Sequence, residues 1–87
     1  MRKIRTTRDF DKKFIKLSKN KMLAEKIITK IKMLAQDINT PELKTHKLSG
    51  NLKNFYACSV NFEYRIVFSF DDSFVFLDSI GTHDEVY

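Results

Sequence analysis

Three apolar runs rich in Phe, Tyr, Val and Ile, residues 55–61, 64–70 and 74–80, follow one another with gaps of only two and three residues. Gaps that short join antiparallel neighbours and leave no length for a crossover, so the second half of the chain is expected to fold as an antiparallel meander. Alternation then assigns the faces. In the middle run Tyr64, Ile66, Phe68 and Phe70 point one way, while Arg65, Val67 and Ser69 point the other. The aromatic-rich face needs an apolar layer against it, which leaves the face bearing Arg65 free. Glu63, two residues earlier, shares that free face if the strand starts early enough.

The first half of the chain supplies the layer. Thr6 followed three residues later by Asp9 is a capping-box-like start, after which Phe10, Phe14 and Leu17 recur at helical spacing, predicting a helix from about Thr7 to Ser18. Asn20 is a second cap, and behind it Leu23, Ile27, Ile31, Leu34 and Ile38 step by four and three, with Ala24, Ile28 and Ala35 widening the stripe. That helix is expected from about Lys21 to Asp37, with Lys26, Lys30 and Lys32 on its wet side, and Pro41 lies where the chain must leave helical geometry. Helices joined by so few residues form an antiparallel hairpin. Arg2 to Thr6 alternates weakly, as an edge strand whose charges discourage pairing with other molecules. The expected fold is therefore α+β: an N-terminal strand, then a helix hairpin packed on a mainly antiparallel four-stranded sheet, in the order β-α-α-β-β-β.

At 87 residues and 10.3 kDa the chain has length for one small domain, 1–87, and a 43% hydrophobic content with eight Phe gives it the means to bury a core. Cys58, the single cysteine, excludes an internal disulfide and suits a reducing compartment, so the cytoplasm is expected. No run reaches the length of a membrane span, and no targeting segment is evident. The net charge of +5 is unevenly spread: residues 1–45 hold thirteen basic and five acidic side chains, residues 46–87 three and six. A basic half of this kind suits a phosphate backbone or an acidic protein partner, although lysines also simply solvate helices.

His46, Glu63, Arg65 and His83 are the residues able to carry chemistry. No Gly-rich phosphate loop, metal-ligand spacing or Ser-His-Asp pattern competes with them, and no metal or cofactor is expected. Two imidazoles, a carboxylate and a guanidinium suffice to cleave RNA without a metal: one group takes the proton of a 2′-hydroxyl, an acid protonates the departing 5′ oxygen, and a cation stabilises the phosphorane. Each has a plainer explanation. His46 suits a solvated loop, His83 a turn, Glu63 a hairpin tip, and Arg65 an ion pair with Glu63 on a wet face. Tyr56 and Tyr64 suit the core, whereas Tyr87, at the end of the numbering, is equally suited to packing and to contact with a base or partner.

The loop His46-Lys47-Leu48-Ser49-Gly50-Asn51-Leu52-Lys53, the strand Glu63-Tyr64-Arg65-Ile66-Val67-Phe68 and the segment Gly81-Thr82-His83, behind a helix hairpin, resemble the RelE/ParE superfamily of bacterial type II toxins and, within it, the YafQ-like branch. The resemblance implies a RelE-like fold and a ribosome-dependent mRNA endonuclease that cleaves message in the ribosomal A site, with the ribosome, mRNA and a cognate antitoxin as partners. By position, His46 matches the family's loop histidine, Glu63 a site carboxylate that is usually Asp, His83 the C-terminal histidine and Tyr87 a C-terminal aromatic that is usually Phe. Arg65 matches the strand arginine of the RelE and YoeB branches, where it contacts the scissile phosphate. Ser59 stands where YafQ-like sequences tend to carry a further histidine. Lys44, Lys47 and Lys53, near the mouth of such a site, are the expected RNA-binding lysines. ParE-like members share the fold but bind DNA gyrase without the nuclease residues, and an inactive antitoxin-binding remnant is a further alternative.

Overall fold

The computed structural model describes all 87 residues, in the order β1 (Lys3–Thr6), α1 (Arg8–Leu17), α2 (Lys21–Gln36), β2 (His46–Lys47), β3 (Tyr56–Ser59), β4 (Tyr64–Phe70), β5 (Phe74–Thr82) and α3 (His83–Val86). Short helical turns at Pro41–Leu43 and Gly50–Leu52 flank β2. The strands form one sheet in the order β1-β5-β4-β3-β2, with β1 parallel to β5 and every other pair antiparallel.

Both helix starts are fixed by side chains. Thr7, one residue later than the expected cap, accepts the Phe10 amide at 3.0 Å, because Thr6 is still paired with Leu77 in the sheet. Asn20 Oδ1 accepts the Leu23 amide at 3.1 Å; such caps contribute about 1 kcal/mol each. The stripe on α2 then meets the aromatic face as expected: Ile27 and Leu34 pack with Phe10, Ile66, Phe68, Leu77 and Ile80, all essentially excluded from water. Each such side chain contributes roughly 1.5–3 kcal/mol on burial. Tyr56, Tyr64 and Phe70 lie half-buried around this cluster. No helix is long and apolar enough to cross a membrane.

The sheet has five strands rather than four. His46–Lys47 was expected in a polar loop but pairs with Ala57 and Tyr56; two exposed residues are too short to show alternation. The last strand runs to Thr82, two residues past its expected end, and contains a bulge: Val67 pairs with Ser79 and Phe68 with Leu77, leaving Asp78 extra. Thr7 Oγ1 donates to the Asp78 carbonyl at 2.7 Å, tying the start of α1 to this irregularity.

The face opposite the helix hairpin, expected to be free, is partly covered. Ala57 and Val67 are buried there, and α3 turns back over β4 and β5. Gly81 permits that return, since a Cβ on it would stand 3.0–3.2 Å from Glu85 and Val86.

Candidate functional site

Strand register gathers the site on this second face. Directly opposed residues share a face, and every second residue keeps it. His46 opposes Ala57, Ala57 opposes Val67, and Ser59, Arg65 and Gly81 form the adjoining row, so His46, Ser59 and Arg65 project to the side over which α3 folds. His83 opens α3. The Thr82 amide donates to the Glu85 carboxylate at 2.8 Å, one half of a capping box, and this bond is the main cause that holds Glu85 below its ordinary pKa.

Tyr87 links the two histidines. Its ring stands edge-on to His83 with centroids 4.4 Å apart and edge-on to His46 at 6.4 Å. Its hydroxyl lies 3.5 Å from His46 Nε2, at the outer limit of a hydrogen bond. Burial pushes the Tyr87 phenol above its usual pKa, against the opposing charge of Arg65, so it remains an O–H donor at neutral pH. His46 Nδ1 lies 3.2 Å from the Lys44 carbonyl, which can only accept, so Nδ1 carries the hydrogen and Nε2 of the neutral ring is the acceptor. Lys44 is the one non-glycine residue at positive φ (51°), a conformation that aims its carbonyl at the imidazole.

Arg65 does not pair with Glu63. Its Nη1 donates to the carbonyls of Asn61 at 2.6 Å and Tyr64 at 3.0 Å, and no carboxylate lies within ion-pair distance, so its charge is oriented but not neutralised. Ser59 Oγ donates to the same Asn61 carbonyl at 2.9 Å. Asn61 in turn closes the hairpin, its Oδ1 accepting the amides of Glu63 and Tyr64 at 2.9 and 2.7 Å. It was not among the expected residues, and its only sequence signal was an asparagine at a hairpin tip.

A cleft of about 560 Å³ opens beside Arg65, with Lys30, Lys44, His46 and Ser59 on its walls and Glu42 and Phe62 at its margin. Lys30 was expected on the wet side of α2 and is instead half-buried in this cleft. Glu63 faces elsewhere, lining a separate groove of about 350 Å³ with Asn20, Leu23, Lys26 and Tyr64. The expectation that it shares the Arg65 face therefore fails, because residues 61–63 form the turn and β4 begins only at Tyr64. Lys47 and Lys53 are exposed and border neither hollow. The assembled set of His46, Arg65, His83 and Tyr87 offers a proton acceptor, a second exposed imidazole and a fixed cation on one surface.

A family model described as "Bacterial toxin of type II toxin-antitoxin system, YafQ" matches residues 2–87. Among solved structures, YafQ from E. coli strain BL21(DE3) superposes with a TM-score of 0.82 at 18% identity, covering 100% of this chain and 99% of that one. The YoeB/ParE toxin from Agrobacterium tumefaciens gives 0.83 at 17% identity over 93% and 98% of the two chains. A chain of the E. coli DinJ-YafQ toxin-antitoxin complex gives 0.77 at 20% identity over 99% and 97%. No curated protein matches the sequence. At these identities the structural likeness establishes the RelE-like fold.

Proposed function

Because the chain belongs to the YafQ family of type II toxin-antitoxin toxins, within the RelE/ParE superfamily, we propose that it is a ribosome-dependent endoribonuclease that cleaves mRNA in the A site and thereby inhibits translation. The observation that carries this reading is the alignment of His46, Tyr87 and His83 beside an unpaired Arg65. His46 Nε2 accepts the proton of the 2′-hydroxyl, which takes the place of the Tyr87 hydroxyl. The resulting oxyanion attacks the adjacent phosphorus, the Arg65 guanidinium stabilises the phosphorane, and His83, exposed at the start of α3, gives a proton to the departing 5′ oxygen. The reaction needs no metal. Glu63, in the neighbouring groove, orients the RNA at the rim and carries no proton. Lys44 binds backbone phosphate within the cleft, and Lys47 and Lys53 do so outside it.

Dependence on the ribosome accounts for a site with few catalytic groups, since the A site positions the message, and the basic first half of the chain suits ribosomal RNA. The partner that silences the protein is a cognate antitoxin, by likeness to toxins solved in DinJ-YafQ and YoeB-YefM complexes. The chemistry dictates its products: 2′-hydroxyl attack leaves a 2′,3′-cyclic phosphate and a 5′-hydroxyl. End-group analysis of message from a translating extract should find both. Inhibition of gyrase supercoiling by the same purified protein, with message intact, would replace this reading with the ParE-like one.

A further inference from the structure

The cleft extends from Arg65 toward α2, and neither His83 nor Tyr87 lines it. Among the residues that line it, Lys30 and Phe62 are a cation and an aromatic with no part in the reaction above. Lys30 is half-buried with no hydrogen-bond or ion-pair partner, whereas Lys21, Lys26 and Lys32 on the same helix are exposed. Lys13, also half-buried, is held by Asp9 at 3.3 Å and Ser79 at 3.1 Å. The Lys30 ammonium keeps its contact with water while its stem is covered, which leaves an un-neutralised cation at the cleft wall that an anion can approach. Lys44 and Arg65 reinforce the positive charge, and the one carboxylate nearby, Glu42, is not within ion-pair distance of any of them. Phe62 is 92% exposed on the rim of this cleft, at a hairpin tip that Asn61 already closes, so packing does not explain an aromatic there.

We propose that the cleft is a nucleotide subsite for single-stranded RNA, in which Lys30 binds the backbone phosphate next to the one held by Arg65 and the face of Phe62 stacks on that nucleotide's base. Cations in the groove with an aromatic at its edge match the alternation of phosphate and base along a single strand. The volume is also in the range of about 300–1,000 Å³ that small-molecule pockets occupy. The proposal rests on the ribonuclease reading for its choice of RNA, but it concerns binding and is measured without cleavage.

The test uses a short fluorescent single-stranded RNA methylated at its 2′ oxygens, so that it cannot be cut, titrated at several salt concentrations. Lys30→Ala should reduce the slope of log affinity against log salt by about 0.7, the value of one phosphate contact on a single strand, and Lys30→Arg should restore it. Lys32→Ala, an exposed change on the same helix, should leave the slope unaltered. Phe62→Ala should weaken binding by roughly 5- to 150-fold at unchanged slope, the range of one base stack, with Phe62→Trp retaining affinity. Wild-type affinity and slope for both alanine variants would overturn the subsite. So would a Phe62→Ala protein that binds RNA normally but has lost affinity for its antitoxin, which would assign the hairpin tip to protein contact. Normal message cleavage with no effect of either variant on RNA binding would defeat the subsite alone; RNA held as expected with message left intact would defeat the nuclease reading alone.

Discussion

Gly81 shows how much the site depends on single atoms. Adding a Cβ brings it to 3.0 Å from the Glu85 carboxylate and 3.2 Å from a Val86 methyl, and α3 must shift by a few tenths of an ångström. Gly81→Ala should cost about 1 kcal/mol in a thermal melt, at the low end for overpacking, and should lower message cleavage far more than stability because His83 and Tyr87 move with the helix. Wild-type cleavage would show that the close return of α3 is not required. Glu85 permits a pH test. Its pKa is depressed in the folded chain, so the stabilisation of the α3 cap is present above the ordinary glutamate value and is lost as pH falls through the lower folded one. Acidification should therefore move the Thr82 amide resonance in a transition below the ordinary glutamate range, and Glu85→Gln should abolish that transition. At this scale His46, Arg65 and His83 could be singled out in the sequence because they lie within patterned stretches of a family resemblance, and the structure sets them toward one side of the sheet. Lys30, Asn61 and Phe62 could not, since they come together at one cleft only when a turn and a helix face meet.

Among the elements, the β3–β4 hairpin aims Arg65, and one asparagine shapes it. Asn61→Ala removes the acceptor for two amides and should cost about 1–2 kcal/mol in urea unfolding. The same variant should lower the rate of cleavage more than apparent RNA affinity, because Arg65 keeps its charge but loses its fixed direction. An equal loss in both would mean that the hairpin only binds. The long elements were readable from periodicity: the α2 stripe and the alternation of β4 predicted which faces meet, and Ile27, Leu34, Ile66 and Phe68 meet as predicted. What periodicity did not reveal was β2, too short to alternate, and the bulge at Asp78, which a one-residue slip in pairing creates. Glu63 shows the same limit: starting β4 at Tyr64 moves it off the Arg65 face.

The whole molecule divides its labour between two faces of one sheet. The helix side is apolar core and includes Cys58, whose thiol burial raises to about 12. It should therefore resist thiol reagents at neutral pH until the chain is unfolded, and rapid labelling of the native protein would show that the core opens easily. The other face carries His46, Arg65, His83 and Tyr87, with most of the basic charge of the chain in the helices and loops before β2. That division suits a protein that grips ribosomal RNA through its basic half and presents its sheet to the message. The most direct measurement of that account is mapping of message 5′ ends in a translating extract with the wild-type, His83→Ala and Arg65→Ala proteins. New ends within A-site codons for the wild type, and their loss with both variants, are predicted. New ends of undiminished frequency with both variants would contradict it.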